Sequence, residues 1–104
     1  MFDYCKVEEV INRIVEETDP KMIIIFGSVA RGEAKDDSDL DLLVVYEGEV
    51  DERELHYRIK GLFIGLRLAS DIIVMSEEKF ERFKNDEFSF THEIASTGKV
   101  VYAQ

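Results

Sequence analysis

The chain is poor in the residues that build disulfide scaffolds and turn-rich folds. Its 104 residues include one cysteine (Cys5), one proline (Pro20) and no tryptophan. A lone cysteine excludes an internal disulfide and fits a reducing compartment. Cys5 reads as a small apolar residue at the edge of a first helix, not as a reactive thiol. The two histidines, His56 and His92, are far apart in sequence, and neither forms a zinc-type spacing with a second histidine or cysteine. No apolar run approaches the ~20 residues that span a bilayer, so no membrane helix is expected. The opening Met1-Phe-Asp-Tyr-Cys-Lys lacks a basic segment leading into an apolar one, which makes the cytoplasm the default expectation. Positive charge is also scarce: 13 Lys and Arg stand against 23 Asp and Glu, a net charge of −10. Such a surface repels a nucleic acid backbone, so direct DNA or RNA binding is not expected. It can still accept a nucleoside triphosphate where cations sit between carboxylates and phosphates.

What is present suffices for one core. Hydrophobic residues make up 45 % of the chain, enough for a two-layer domain spanning residues 1–104. Val7, Val10, Ile11, Ile14 and Val15 form the stripe of an amphipathic helix over 5–17. Asp19-Pro20 ends it. Met22-Ile-Ile-Ile-Phe26 predicts a strand apolar on both faces. A short helix follows over about 28–32, then a polar turn, then a strand over 39–46. Leu55, Ile59, Leu62, Phe63 and Leu66 predict a second long helix over 51–67. Residues 70–75 predict a third strand. Ser76 is a plausible N-cap for a helix reaching about Asn85. A last helix over 87–97 stops at Gly98, read as a left-handed C′ glycine, and Val100–Tyr102 predict a short edge strand. The fold class is therefore α/β (α+β), in the order α-β-α-β-α-β-α-α-(β).

The chemistry is concentrated in residues 26–44. Gly27-Ser28 ends a hydrophobic strand and opens a short helix. Such a turn leaves backbone N–H groups facing outward, suited to phosphate oxygens, and glycine permits their close approach. Arg31 lies one helical turn on from Ser28, where it could hold a phosphate or lock the acidic loop. Asp39 and Asp41 stand at i and i+2 at the head of a strand, so their carboxylates share a face. Two adjacent carboxylates repel unless a divalent cation neutralises them. Asp71 holds the matching place on the third strand. If these strands are neighbours, three acids converge, which suits two Mg2+ ions ~3.5–4 Å apart. Asp71 would then lower the pKa of an acceptor hydroxyl through its metal or take its proton directly.

Gly27-Ser28-Val-Ala-Arg-Gly32 followed by Ser38-Asp39-Leu-Asp41-Leu-Leu-Val44 resembles the signature of the minimal nucleotidyltransferases of the polymerase-beta superfamily. The likeness extends to the opening helix and to the closing Ile94-Ala-Ser-Thr-Gly-Lys-Val-Val-Tyr102. It implies a small mixed sheet with helices on one side. Gly27 and Ser28 match the triphosphate-binding pair, Asp39 and Asp41 the metal-binding pair, and Asp71 the third acid. Val29 departs from the pattern, because many members carry arginine directly after Gly-Ser. The resemblance further implies ATP as substrate and a small helical HEPN-domain protein as partner. In that pairing the nucleotidyltransferase adenylylates a tyrosine of an RNase toxin and silences it as antitoxin. A length of 104 residues is too short for an added acceptor-binding domain, so the acceptor is expected on a separate protein. An apolar helix face leaves a homodimer open.

Competing readings are a non-catalytic module that masks a partner by contact, and a metal-dependent nuclease or phosphatase, which would leave the Gly-Ser turn unexplained. Other features have simpler roles. Phe80, Phe83, Phe88 and Phe90 are expected in the core of the last two helices, with a nucleotide-stacking platform as the alternative. Glu47, Glu49, Asp51, Glu52 and Glu54 read as a solvated turn and helix start. Arg53, Arg58, Lys60 and Arg67 read as a solvated helix face.

Overall fold

The computed structural model describes residues 2–104. The elements run α1 (Tyr4–Thr18), β1 (Met22–Phe26), α2 (Gly27–Ala30), β2 (Leu40–Tyr46), α3 (Glu52–Gly61), β3 (Ser70–Ser76), α4 (Glu77–Phe83), α5 (Phe90–Thr97) and β4 (Lys99–Ala103). The four strands form one mixed sheet in the order β3-β2-β1-β4. β1 is antiparallel to β2 and β4, while β2 and β3 run parallel. The parallel pair requires a crossover, and α3 supplies it. Among the described residues, no helix is long and apolar enough to cross a membrane.

Local chemistry accounts for most boundaries. Asp3 caps α1 by accepting from the backbone N–H of Cys5 and Lys6. The helix buries Val7, Val10 and Ile14, while Cys5 is exposed. Asp51 caps α3 and Ser76 caps α4 through side-chain oxygens. The predicted second long helix is cut short: α3 ends at Gly61, and the chain continues through turns in which Gly65 and Arg67 adopt positive φ. The apolar stripe over 62–66 persists, but Leu62, Phe63 and Leu66 pack from these turns instead. The last helix also starts late, at Phe90, because Ser89 is its cap and accepts from the His92 N–H.

The helix layout departs from the one-sided arrangement implied by the resemblance. α1 and α3 share one face of the sheet, packing on Ile23, Ile25, Leu40, Leu42, Val44, Ile72 and Val74. The short α4 and α5 cover part of the other face through Phe80 and Ile94, against Ile24, Phe26, Leu43, Val45 and Met75. β1 and β2 are apolar on both faces, so leaving one face bare would expose four of their large side chains, Ile24, Phe26, Leu43 and Val45. Each such burial contributes ~1.5–3 kcal/mol.

Gly98 differs from its expected role as well. Its backbone is extended, with φ −80 and ψ 175. Space is what requires glycine: a Cβ there would sit 2.6 Å from Ile24 Cγ2 and 2.7 Å from the Ile94 carbonyl oxygen. α5 thereby turns directly into β4 against β1.

Candidate functional site

β1, β2 and β3 bring their residues to one end of the sheet. Phe26 pairs with Asp41 across the β1–β2 ladder, and Asp41 pairs with Asp71 across the β2–β3 ladder. Paired residues face the same way, so Phe26, Asp41 and Asp71 form a row on the face that α4 and α5 half cover. Asp39 lies two residues before Asp41 and shares its parity. Gly27 follows Phe26 directly and opens α2. The register thus brings Asp41 and Asp71 together as cross-strand neighbours, with Phe26 and Gly27 beside them.

Gly27 adopts φ +75, a left-handed conformation that favours glycine. A Cβ at this position would collide with Asp41 Oδ2. The turn is therefore in contact with the carboxylate, and only glycine permits both the turn and the approach. Helical bonding begins with the Arg31 N–H donating to the Gly27 carbonyl, which leaves the earlier N–H groups of α2 as unpaired donors in the helical ladder. Ser28 is half-buried in this first turn.

Asp41 is half-buried, whereas Asp39 and Asp71 are exposed. Burial, then the charges of Asp71 and Asp39, raise the Asp41 carboxyl above its ordinary value of 3.8, and Arg31 opposes them. Arg31 is an outlying cation here. Its Nε donates to Glu33 Oε2 at 3.1 Å on the exposed loop, while its side chain still reaches the cleft wall. The cleft, about 320 Å³, is lined by Phe26, Gly27, Arg31, Asp41, Asp71 and the α5 residues Phe90, Glu93, Ile94 and Thr97. α5 supplies the wall that sequence reasoning assigned to the core: Phe88 is 96 % and Phe90 57 % exposed, and of the late phenylalanines Phe80 alone is fully buried.

A larger groove of about 710 Å³ lies at the opposite end of β2 and β3, lined by Glu49, Glu52, Ser76, Glu77, Glu78 and Glu81. It has more volume, but five of its eight lining residues are glutamates and none is basic. The smaller cleft holds the convergent chemistry.

The carboxylate row is open. Among the described residues, no three His, Cys, Asp or Glu side chains already form a group that could hold a metal ion. The donors at this end of the sheet are carboxylate oxygens, a set that suits a hard cation such as magnesium and not zinc, which favours nitrogen and sulfur. Magnesium keeps several waters and is usually held by one or two carboxylates together with substrate phosphates, not by an all-protein cage. An all-oxygen set whose members repel one another suits that mode.

A mixed four-stranded sheet with the Gly27-Ser28 turn and the aspartate row at one end defines a nucleotidyltransferase. Residues 8–104 match the family described as Polymerase beta, Nucleotidyltransferase, and the chain belongs to it. A Methanocaldococcus jannaschii protein named "Putative protein adenylyltransferase MJ0604" is 37 % identical over 82 residues, covering 79 % of this chain and 78 % of its own. The fold is shared with a crystal structure described as "a putative nucleotidyltransferase from Sulfolobus solfataricus", with a TM-score of 0.65 and 24 % identity over 95 % of this chain and 78 % of that one. It is shared equally with a toxin–antitoxin crystal structure containing AMP-PNP, at TM-score 0.65 and 19 % identity over 93 % of this chain and 73 % of that one.

Proposed function

We propose that this chain transfers an adenylyl group from ATP to a hydroxyl of a partner protein, in a magnesium-dependent reaction, as the antitoxin of a toxin–antitoxin pair. The observation that carries the reading is the pairing of Asp41 with Asp71 beside the Gly27 turn. The relative named as a protein adenylyltransferase and the toxin–antitoxin neighbours support the acceptor class. The family resemblance alone suggests a HEPN-domain partner and its tyrosine.

In this reading Gly27, Ser28 and the first N–H groups of α2 bind the triphosphate. Arg31 adds a cation at the rim. Asp39, Asp41 and Asp71 would hold two Mg2+ ions, which when bound neutralise charge on the phosphates and lower the pKa of the acceptor hydroxyl. The acceptor oxygen attacks the α-phosphorus, the bond to the β-phosphate bridging oxygen breaks, and pyrophosphate leaves. The hydroxyl proton passes to the Asp71 carboxylate, which is exposed and lies one strand further from the turn than Asp41.

The melting temperature, measured with ATP and Mg2+ separately and together, tests the first half. Wild type should gain ~2.7 kcal/mol at ligand a hundredfold above its Kd, and only when both are present. Asp39→Ala/Asp41→Ala should gain nothing. Labelled ATP incubated with the candidate partner tests the second half: label on the partner is expected. A wild type indifferent to MgATP would sink the reading, and MgATP binding without transfer would favour masking by contact.

A further inference from the structure

Phe90 does not behave as a core residue. It is 57 % exposed on the wall of the cleft that contains Gly27, Asp41 and Asp71. Its exposure is not that of a fraying end. The Ser89 hydroxyl donates to the Phe83 carbonyl at 2.6 Å and accepts from the His92 N–H at 3.0 Å. His92 Nδ1 lies 2.7 Å from the Lys84 carbonyl oxygen, and Thr91 beside it is buried. The backbone of Phe90 is thus pinned at the first position of a capped helix. The ring is steadied by an edge-to-face contact with Phe26, at 5.8 Å between centroids and 85° between planes.

Position narrows the use of this ring. Across the sheet the order is Phe90, Phe26, Asp41, Asp71, with Gly27 following Phe26. Asp71 lies two strand spacings from Phe26, ~9–10 Å. The ring therefore stands on the phosphate-turn side of the cleft, away from the end at which an acceptor would meet Asp71. A flat, pinned, half-exposed aromatic beside a phosphate turn matches the π-face of a base, because stacking needs a rigid platform and no particular hydrogen-bond pattern. Phe88, at 96 % exposure, lines only the adjoining groove and not the cleft itself.

We propose that Phe90 is the platform on which the base of the bound nucleoside triphosphate stacks. This rests on the nucleotidyl-transfer reading above, and a base-free ligand separates the two. Calorimetry with MgATP and with magnesium tripolyphosphate is done on wild type, Phe90→Ala, Phe90→Tyr and Phe88→Ala. Phe90→Ala should weaken MgATP by about 5- to 150-fold, the loss of one stacked base. It should leave tripolyphosphate unchanged. Phe90→Tyr should restore ATP affinity, and Phe88→Ala should leave it intact. An unchanged ATP affinity in Phe90→Ala would overturn the proposal. Equal losses for ATP and tripolyphosphate would overturn it in favour of a structural role. If wild type binds neither ligand, the nucleotidyl-transfer reading itself fails and takes this one with it.

Discussion

The two ends of the sheet are both acidic, yet only one looks built for chemistry. At the far end, beyond Tyr46 and Ser76, five of the acids have a local task in a helix start. Asp51 caps α3, and Glu52 and Glu54 sit in its first turn. Glu77 and Glu78 sit in the first turn of α4, where the helix dipole favours negative charge. At the near end Asp41 and Asp71 cap nothing. They face each other across two parallel strands, and Gly27 presses against one of them. A count of carboxylates does not separate the two ends. What separates them is whether helix geometry already accounts for the charge.

The largest expected effect tests that distinction directly. Asp39→Ala/Asp41→Ala should lower nucleotidyl transfer by ~10³-fold or more, since metal-assisted charge stabilisation is worth several kcal/mol. Far-UV circular dichroism should be unchanged. Glu77→Gln/Glu78→Gln, which removes as many charges from the far end, should leave transfer within about twofold. Equal losses in an assay of labelled product would erase the contrast.

Gly27→Ala comes next. The left-handed φ and the collision with Asp41 act together, so a loss of ~1–3 kcal/mol is expected. Thermal melts should show it, with MgATP binding lost in parallel. A stable variant that still binds MgATP would mean that the turn relaxes freely. Ser76→Ala is the matching change at the far end. Removing a cap that accepts from the Lys79 N–H should cost ~1 kcal/mol, or ~4–8 °C for a domain of this size. MgATP affinity should not move. A change in affinity would tie the two ends together.

Much of this contrast was legible in the sequence, for stated reasons. Period-two spacing put Asp39 and Asp41 on one face, and the strand–glycine–helix order located the Gly27 turn. Asp71 was found from element order, and the parallel β2–β3 register bears out its placement opposite Asp41. Phe90 was assigned to the core, with stacking only the alternative, because an aromatic at helical spacing resembles a core residue and sequence does not tell which side of α5 meets the sheet. Thr91 and Ile94 meet it instead. The end of α3 was missed because the apolar stripe continues past Gly61 through turns that imitate helical spacing. Gly98 was correctly marked as special but for the wrong cause: its neighbours in β1 come from a distant part of the chain, and only the folded packing shows them. Arg58 is exposed as expected but also donates to the Glu17 carbonyl, and Lys60, expected on a solvated face, is half-buried and donates to the Ser70 carbonyl. Both anchor α3 to its surroundings, and nothing in local spacing announces that.

The smallest effect is the most pointed, because it has opposite signs at the two ends. Asp41 has its folded-state pKa raised, first by burial and then by Asp71 and Asp39. A raised carboxylate means that the folded chain holds the proton more tightly than the unfolded one. Stability from this group therefore grows as pH falls through the window just above 3.8 and is lost as pH rises through it. At pH 7, without metal, ionised Asp41 works against the fold. Asp41→Asn should thus raise the melting temperature at pH 7, modestly because the carboxylate is still partly solvated: ~0.5 kcal/mol, or about 2–4 °C. The advantage should shrink as pH approaches 4 and vanish once wild type is protonated there. Glu77→Gln should do the reverse at pH 7, losing a favourable dipole contact worth ~0.3–1 kcal/mol. Parallel melts of the two variants across pH 4–7 read both signs at once. If Asp41→Asn melts lower than wild type at neutral pH, Asp41 is a structural anchor, and the near end has the same kind of explanation as the far one.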